Sequence, residues 1–248
     1  HDVTVGATQA GRVALEASGS PFGPAEVSTR FALADQVLRL EEMRVRALEG
    51  RIDGRMEVDL DSTLAEGRVT IDIPGLEDAP GADRLGLAGR ASGVVELRAP
   101  NRRQTAELDL DVAGFRGFDA AVDALGIEGT VEDATGTPDG ALTLTLEGAR
   151  HPQGSVERGR VAAEFTDATA PQGVVEADYR LEGLAAAGQA SVARLEGTAR
   201  VTDPAGEPAA RIDAVLSRIA AEAAEARIGT LRIGADVTAL TASPALDG

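Results

Sequence analysis

Cysteine, tryptophan and lysine are all absent from this chain of 248 residues. Without thiols there is no disulfide, no thiolate metal site and no cysteine nucleophile, although their absence does not fix a cellular compartment. Without lysine, Schiff-base chemistry, the phosphate-loop lysine and every Ser/Lys dyad drop out, and all 24 basic residues are arginine. Aromatic residues make up 2% of the chain, five Phe and one Tyr, so the 43% that is hydrophobic is chiefly Val, Leu, Ile and Ala. Such side chains build smooth apolar surfaces and poor stacking platforms. Positive charge is short as well: 41 acidic residues against 24 basic give a formal net charge of -17. A protein that must displace counterions from nucleic acid or from an anionic membrane surface needs the opposite balance, so no nucleic-acid partner is expected. No run approaches the ~20 apolar residues of a membrane-spanning helix. The start, His1-Asp2 and a polar stretch, has none of the basic and apolar character of a secretion signal. Ending at Gly248 just after a repeated signature, the sequence is expected to be a piece of a longer polypeptide.

What is present is repetition. Arg90, Gly93, Leu97, Pro100, Leu108, Asp109 and Val112 recur 104 residues later as Arg194, Gly197, Val201, Pro204, Ile212, Asp213 and Leu216. With a displacement of 106, Val122, Leu125, Ile127, Val131, Thr137 and Pro138 answer to Ile228, Leu231, Ile233, Val237, Ser243 and Pro244. Units of about 90–140 and 194–248, each several strands long, mark an array and not one closed enzyme domain.

Period-two alternation runs through the rest. Val13, Leu15 and Ala17 alternate with polar residues, and after a Pro/Gly break at 20–24 so do Val27, Phe31 and Leu33. Leu38 and Leu40 hold one parity while Met43 and Val45 hold the other, which places a bulge or tight turn near Glu41 and Glu42. Asp53-Gly54 carries a hairpin signal, yet only a continuous strand keeps Ile52, Met56, Val58 and Leu60 on one face, and face consistency favours that strand. Val69, Ile71 and Ile73 form another strand, closed by Pro74-Gly75 and a longer loop through Asp83. The cleanest alternation is Ala106, Leu108, Leu110 and Val112 against Glu107, Asp109 and Asp111. Leu142, Leu144 and Leu146 continue the pattern, as do Val161 and Phe165, then Val175, Tyr179 and Leu181.

One segment conflicts. Ile212, Leu216, Ile219 and Ala223 recur at helical spacing among good helix formers. Its front is the repeat partner of Glu107 to Val112, which makes 211–216 a strand. Ser217 to Ala226 and Phe118 to Ala124 still leave room for a short helix. About fifteen strands result, joined mostly by short turns that favour antiparallel neighbours. The expected fold is all-β: a long, twisted, predominantly antiparallel sheet curled into an open groove with a hydrophobic interior, one elongated segment over 1–248 with no separate catalytic domain.

Candidate chemistry is thin. His1 and His151 are the only histidines, and His151 lies in an Arg-His-Pro-Gln-Gly turn that reads as surface. No serine sits in a Gly-X-Ser-X-Gly elbow. The carboxylate pairs Asp59/Asp61 and Asp109/Asp111 alternate with Leu and read as solvated strand faces, not as acid/base or calcium sites. Gly86, Gly89 and Gly93 do not have dinucleotide-fingerprint spacing. No catalytic residue, metal or cofactor is expected.

From Ala235 to Gly248, Ala-Asp-Val-X-X-Leu runs into Ser-Pro-X-Leu-Asp-Gly. From Leu125 to Gly140, Leu-Gly-Ile-Glu-Gly-X-Val-Glu-Asp leads to Thr-Pro-Asp-Gly. Together with Leu-X-Gly steps at Leu48, Leu87 and Leu195, these stretches resemble the TamB family and the related AsmA-like groove proteins. The resemblance implies a periplasm-crossing envelope protein of Gram-negative bacteria, anchored in the inner membrane. It further implies a taco-shaped β-groove, an outer-membrane barrel partner called TamA, and a role in phospholipid transport and outer-membrane biogenesis. On that reading phospholipid acyl chains are the cargo. Strand parity assigns the groove lining to Val13, Leu15, Phe31, Leu33, Val58, Leu60, Ile71, Leu108, Leu110, Val112, Leu142, Leu144, Leu146, Phe165, Tyr179, Leu181, Ile233 and Val237. The competing readings are a structural spacer that scaffolds outer-membrane assembly and a β-repeat adhesin; the latter has only Tyr179 to offer a sugar face.

Overall fold

A computed structural model describes residues 9–20, 23–47, 50–78, 82–187, 190–221 and 226–237. The chain is all-β and antiparallel, with fourteen strands among the described residues. It divides into two units, residues 1–132 and 133–248.

The first unit is a meander of eight strands: β1 Gln9–Ser20, β2 Gly23–Ala34, β3 Val37–Ala47, β4 Gly50–Asp59, β5 Leu64–Ile73, β6 Ala88–Arg98, β7 Thr105–Gly117 and β8 Ala120–Glu132. Each pairs antiparallel with its sequence neighbour. Two of its turns, Asp35-Gln36 and Phe118-Asp119, have positive φ at both residues, the turn whose twist matches that of the flanking strands. Phe118 to Ala124 is therefore a turn followed by strand, with no helix. The loop after Ile73 is more structured than its Pro/Gly content suggests, holding a short helix α1, Ala82–Leu85. The second unit is a meander of six: β9 Asp139–His151, β10 Gly154–Thr166, β11 Val174–Ala186, β12 Ala190–Thr202, β13 Ala209–Ala221 and β14 Ala226–Val237. Here too each strand pairs antiparallel with its sequence neighbour.

Several readings of the sequence are decided by register. β4 runs unbroken through Asp53-Gly54. In β3 the three-residue step from Leu40 to Met43 faces the two-residue step from Met56 to Gly54, with Glu42 at φ 51, so the expected bulge is present. Ser217 to Ala221 continues β13 as strand. The repeat is visible at the backbone: β7 displaced by 104 residues falls on the bounds of β13, and β14 starts 106 residues after β8. Ser243 and Pro244, the last repeat partners, lie outside the described residues, as does most of the family-like stretch up to Gly248.

Among the described residues no second layer supplies a conventional core. Among the described residues Ala82, in α1, is the one buried hydrophobic side chain, and Gln104 is the one buried polar side chain. Gln104 acts as a piece of strand. Its Oε1 accepts from the Ala65 N–H at 2.7 Å, and its Nε2 donates to the carbonyls of Ala65 at 2.9 Å and Arg98 at 3.0 Å. The β5/β6 ladder stops at Gly67 and Leu97, and this side chain supplies the bonds the ladder no longer reaches.

Candidate functional site

Directly opposed residues of antiparallel strands share a face, so the pairing register maps the apolar surface of each unit. In the first unit one row crosses all eight strands: Leu15, Val27, Val45, Ile52, Ile71, Gly93, Leu110 and Ile127. Beside it run Met43, Gly54, Val69, Val95, Leu108 and Gly129, and then Gly11, Phe31, Leu40, Met56, Gly67, Leu97, Ala106 and Val131. Val13 stands opposite Thr29, Leu33 pairs with Leu38 and Leu38 with Val58, while Val112 faces Ala91 and Leu125. All of these lie on one aliphatic face. Leu60 departs from the expectation: β4 ends at Asp59, and Leu60 sits in the turn, exposed, donating its N–H to the Gln36 carbonyl at 2.8 Å. The turn is shaped by Asp59, whose Oδ1 accepts from the Asp61 and Ser62 N–H groups. The Ser62 N–H, with that of Asp61, holds the Asp59 carboxyl below its ordinary range. Asp59 and Asp61 thus form a turn, not a pair on a strand face; Asp109 and Asp111 are exposed on the polar face as expected.

In the second unit the central row is Leu146, Gly159, Leu181, Leu195, Leu216 and Leu231. The next is Leu144, Val161, Tyr179, Gly197, Ala214 and Ile233; the outermost is Gly140, Phe165, Val175, Val201, Ala210 and Val237. Leu142 pairs with Ala163 in the row between. The aliphatic positions expected from the sequence therefore share one face here too. Leu144, Leu231, Ile233 and Val237 are exposed, the other large side chains of these rows half-buried.

Sequence reasoning missed a crease in this face. On the far side of the Leu146 row the next aliphatic position comes three residues on, not two: Ala149 opposite Val156, and Leu184, Val192, Ile219 and Ile228 in line. Between the two rows lie Gly148, Gly183 and Arg218, at φ 61, 63 and 54, one in each of β9, β11 and β13. A left-handed residue re-aims the side chains that follow it, and the three-residue step returns the aliphatic side to the same face. Gly114 of β7, at φ 63 between Val112 and Phe115, does the same in the first unit.

Glycines also smooth the face. A side chain at Gly93 would collide with Leu110, whose Cδ2 would be 2.7 Å from the added carbon; Gly159 is overlaid in the same way by Leu181 at 2.8 Å and Gly197 by the Tyr179 hydroxyl at 2.7 Å. Tyr179 reaches across Gly197 and donates to the Asp213 carbonyl oxygen at 3.2 Å. Burial, and secondarily the Asp213 carboxylate, raises its phenol above the ordinary value. One of the few polar groups of this face is thereby tied to backbone.

The opposite face is charged. Arg39 pairs with Glu57 at 2.9 Å, Arg98 with Glu107 at 2.9 Å, and Arg200 with Glu176. Glu182 is a hub for Arg180 at 2.8 Å and for Arg158 and Arg194, both at 3.7 Å. Such exposed pairs are worth about 0–1 kcal/mol each, so they keep the face wet and in register more than they hold the fold. His151 lies at the exposed end of β9, its Nδ1 accepting from the Gln153 N–H at 3.3 Å. Among the described residues no group of three or more His, Asp or Glu is placed to hold a metal ion, and no helix is long and apolar enough to cross a membrane. No family model matches the sequence, and neither a curated protein nor a solved structure does.

Proposed function

We propose that this chain is a length of lipid-carrying wall: its aliphatic face lines a groove along which phospholipid acyl chains move. The observation that carries the reading is the pair of aliphatic faces, which no layer among the described residues covers, when a soluble antiparallel sheet ordinarily buries one face. Withdrawing an acyl chain from water onto such a wall gains about 0.8 kcal/mol per CH₂. Passing it from bilayer to wall exchanges one apolar surroundings for another. Val, Leu, Ile and Ala, with glycines filled by their neighbours, give tails a surface without deep pockets, so lipid is held without being trapped. The charged face and the net charge of -17 keep the other side wet and oppose sheet-to-sheet aggregation.

On this reading the chain is a non-enzymatic segment of a TamB-like bridge. It would work in the periplasm of a Gram-negative envelope, reach an outer-membrane barrel of the TamA kind through other parts of the polypeptide, and serve outer-membrane biogenesis. Leu110 and Leu144, one in the middle of each face, are the positions for the test. Photo-crosslinking side chains placed there should capture phospholipid, and organic extracts of the purified protein should contain it by mass spectrometry. Capture of protein alone at both positions, with lipid-free extracts, would replace the conduit by a structural spacer.

A further inference from the structure

β6 is preceded by a loop over residues 74–87, whereas β12, which repeats it, is preceded by residues 187–189. The longer loop carries α1 and meets the turn between β7 and β8 at the same end of the sheet, where the Phe118 N–H donates to the Leu85 carbonyl at 3.2 Å. We propose that this end of the first unit docks on a lipid surface of zwitterionic headgroups. Leu85 and Phe118 are the side chains that insert, and acyl chains cross there onto the aliphatic face.

The tip is one the fold itself does not need. Ala82 of α1 is buried, and Leu87 lies over Gly117, where an added carbon would come within 2.6 Å of its Cδ2 and 3.2 Å of the Phe115 ring. Those contacts anchor the loop. Leu85 and Phe118 nevertheless stay 46 and 66% accessible, and among the described residues no large hydrophobic side chain is more exposed than Phe118. Phe118 also sits at φ 54, in a turn that Asn, Asp and Gly occupy most readily. The corresponding turn after β2 uses Asp35 and Gln36. A bulky side chain in the left-handed region is unfavourable, so folding gains nothing from an aromatic at this position.

An apolar track leads inward from the tip. Leu87 and Phe115 meet at Gly117, Phe115 stands opposite Val122, and Val112 follows across the left-handed Gly114. The exposed pair is therefore continuous with the aliphatic face. A protein partner gripping the tip would leave the track open beside it, whereas acyl chains fill both. Charge then selects the headgroup. Among the described side chains of this loop and turn, Glu77, Asp78 and Asp119 are acidic and exposed, and Arg116 alone is basic. That balance repels an anionic lipid surface and tolerates a zwitterionic one. The inference rests on the lipid-wall reading for the destination of the tail, and its test keeps the two apart.

Because the chain has no tryptophan, a single introduced one reports on its own position. Phe118→Trp and Leu85→Trp proteins are mixed with phosphatidylcholine vesicles, plain or brominated along the acyl chains, with Leu110→Trp marking the wall and circular dichroism checking strand content. A blue shift and quenching by the brominated lipid are expected at 118 and 85, and partition should weaken about three-fold when phosphatidylglycerol is added to the vesicles. Phe118→Asn, which suits the turn, should lower vesicle partition about ten-fold while leaving the unfolding midpoint unchanged or raised. A purely structural Phe118 would give the reverse. Quenching at 110 without quenching at 118 and 85 overturns the docking site and leaves the wall standing. Quenching at 118 and 85 alone supports the docking site and removes the wall. Tighter partition to the phosphatidylglycerol vesicles overturns the assignment of a zwitterionic surface.

Discussion

The two copies of the repeat, β6 to β8 and β12 to β14, share most of their cross-strand partners but differ in what fills them. Gly93 and Gly197 occupy the same position, yet the first is overlaid by Leu110 of the following strand and the second by Tyr179 of the preceding one. The left-handed residue of the crease is Gly114 in one copy and Arg218 in the other. β6 meets β7 with a register shift at Gly89, while β12 meets β13 without one. The difference separates two kinds of information. Backbone path and the aliphatic side of each strand are what repeats, whereas glycine cover, crease residue and surface charge vary from copy to copy. A wall for flexible chains needs the first kind only, because an acyl tail reads apolar area and not individual side chains.

The comparison breaks hardest at the glycines. Valine at Gly93 would press on Leu110 and on the Asp109 carbonyl, and valine at Gly197 on Tyr179 and the Asp213 carbonyl. Each substitution is expected to cost about 3 kcal/mol, read as a lower denaturant midpoint. Truncating the covering side chain sharpens the contrast: Tyr179→Ala should restore part of the loss at Gly197 and none at Gly93.

The crease gives smaller effects of opposite sign. A side chain at Gly114 meets open space, so Gly114→Ala should lose about 1 kcal/mol from its left-handed backbone alone. Arg218→Gly should gain up to about 1 kcal/mol by relieving the same conformation. Thermal or chemical unfolding of the two variants checks both signs; equal losses would mean that the Arg218 side chain contributes packing which the exposed position does not suggest.

That crease also explains where the sequence misled. The aliphatic faces were legible because period-two alternation survives over most of each strand, and the bulge at Glu42 was legible because parity broke there without a turn. The same break occurs in β13, where the step from Leu216 to Ile219 over Arg218 is the one that imitated a helix. A three-residue step is shared by a helix and by a strand with one left-handed residue, and only its recurrence at Leu146, Leu181 and Leu216 distinguishes them. Leu60 was misplaced for a related reason, since parity does not reveal where Asp59 closes a turn on the Asp61 and Ser62 N–H groups. Gln104 gave no signal at all: a glutamine in an Arg-rich loop shows nothing of the backbone groups it will satisfy.

The smallest contrast is electrostatic, and it sets Glu182 in the second unit beside Asp59 in the first. The hydrogen bond from Arg180, then the charges of Arg180, Arg158 and Arg194, hold the Glu182 carboxyl below its usual range, whereas Asp59 is lowered chiefly by the Ser62 N–H. Both carboxyls release their protons more readily folded than unfolded. Each therefore adds stability that is complete above the ordinary carboxylate range and is lost as pH falls through the lowered folded value. The causes predict different responses to salt. The Coulombic part of the Glu182 contribution should shrink at high ionic strength, while the backbone hydrogen bonds at Asp59 should be little affected. Glu182→Gln should flatten the acid limb of the stability profile at low salt but hardly at 1 M, and Asp59→Asn should flatten it under both conditions. Identical salt responses would show that one electrostatic mechanism governs both carboxyls.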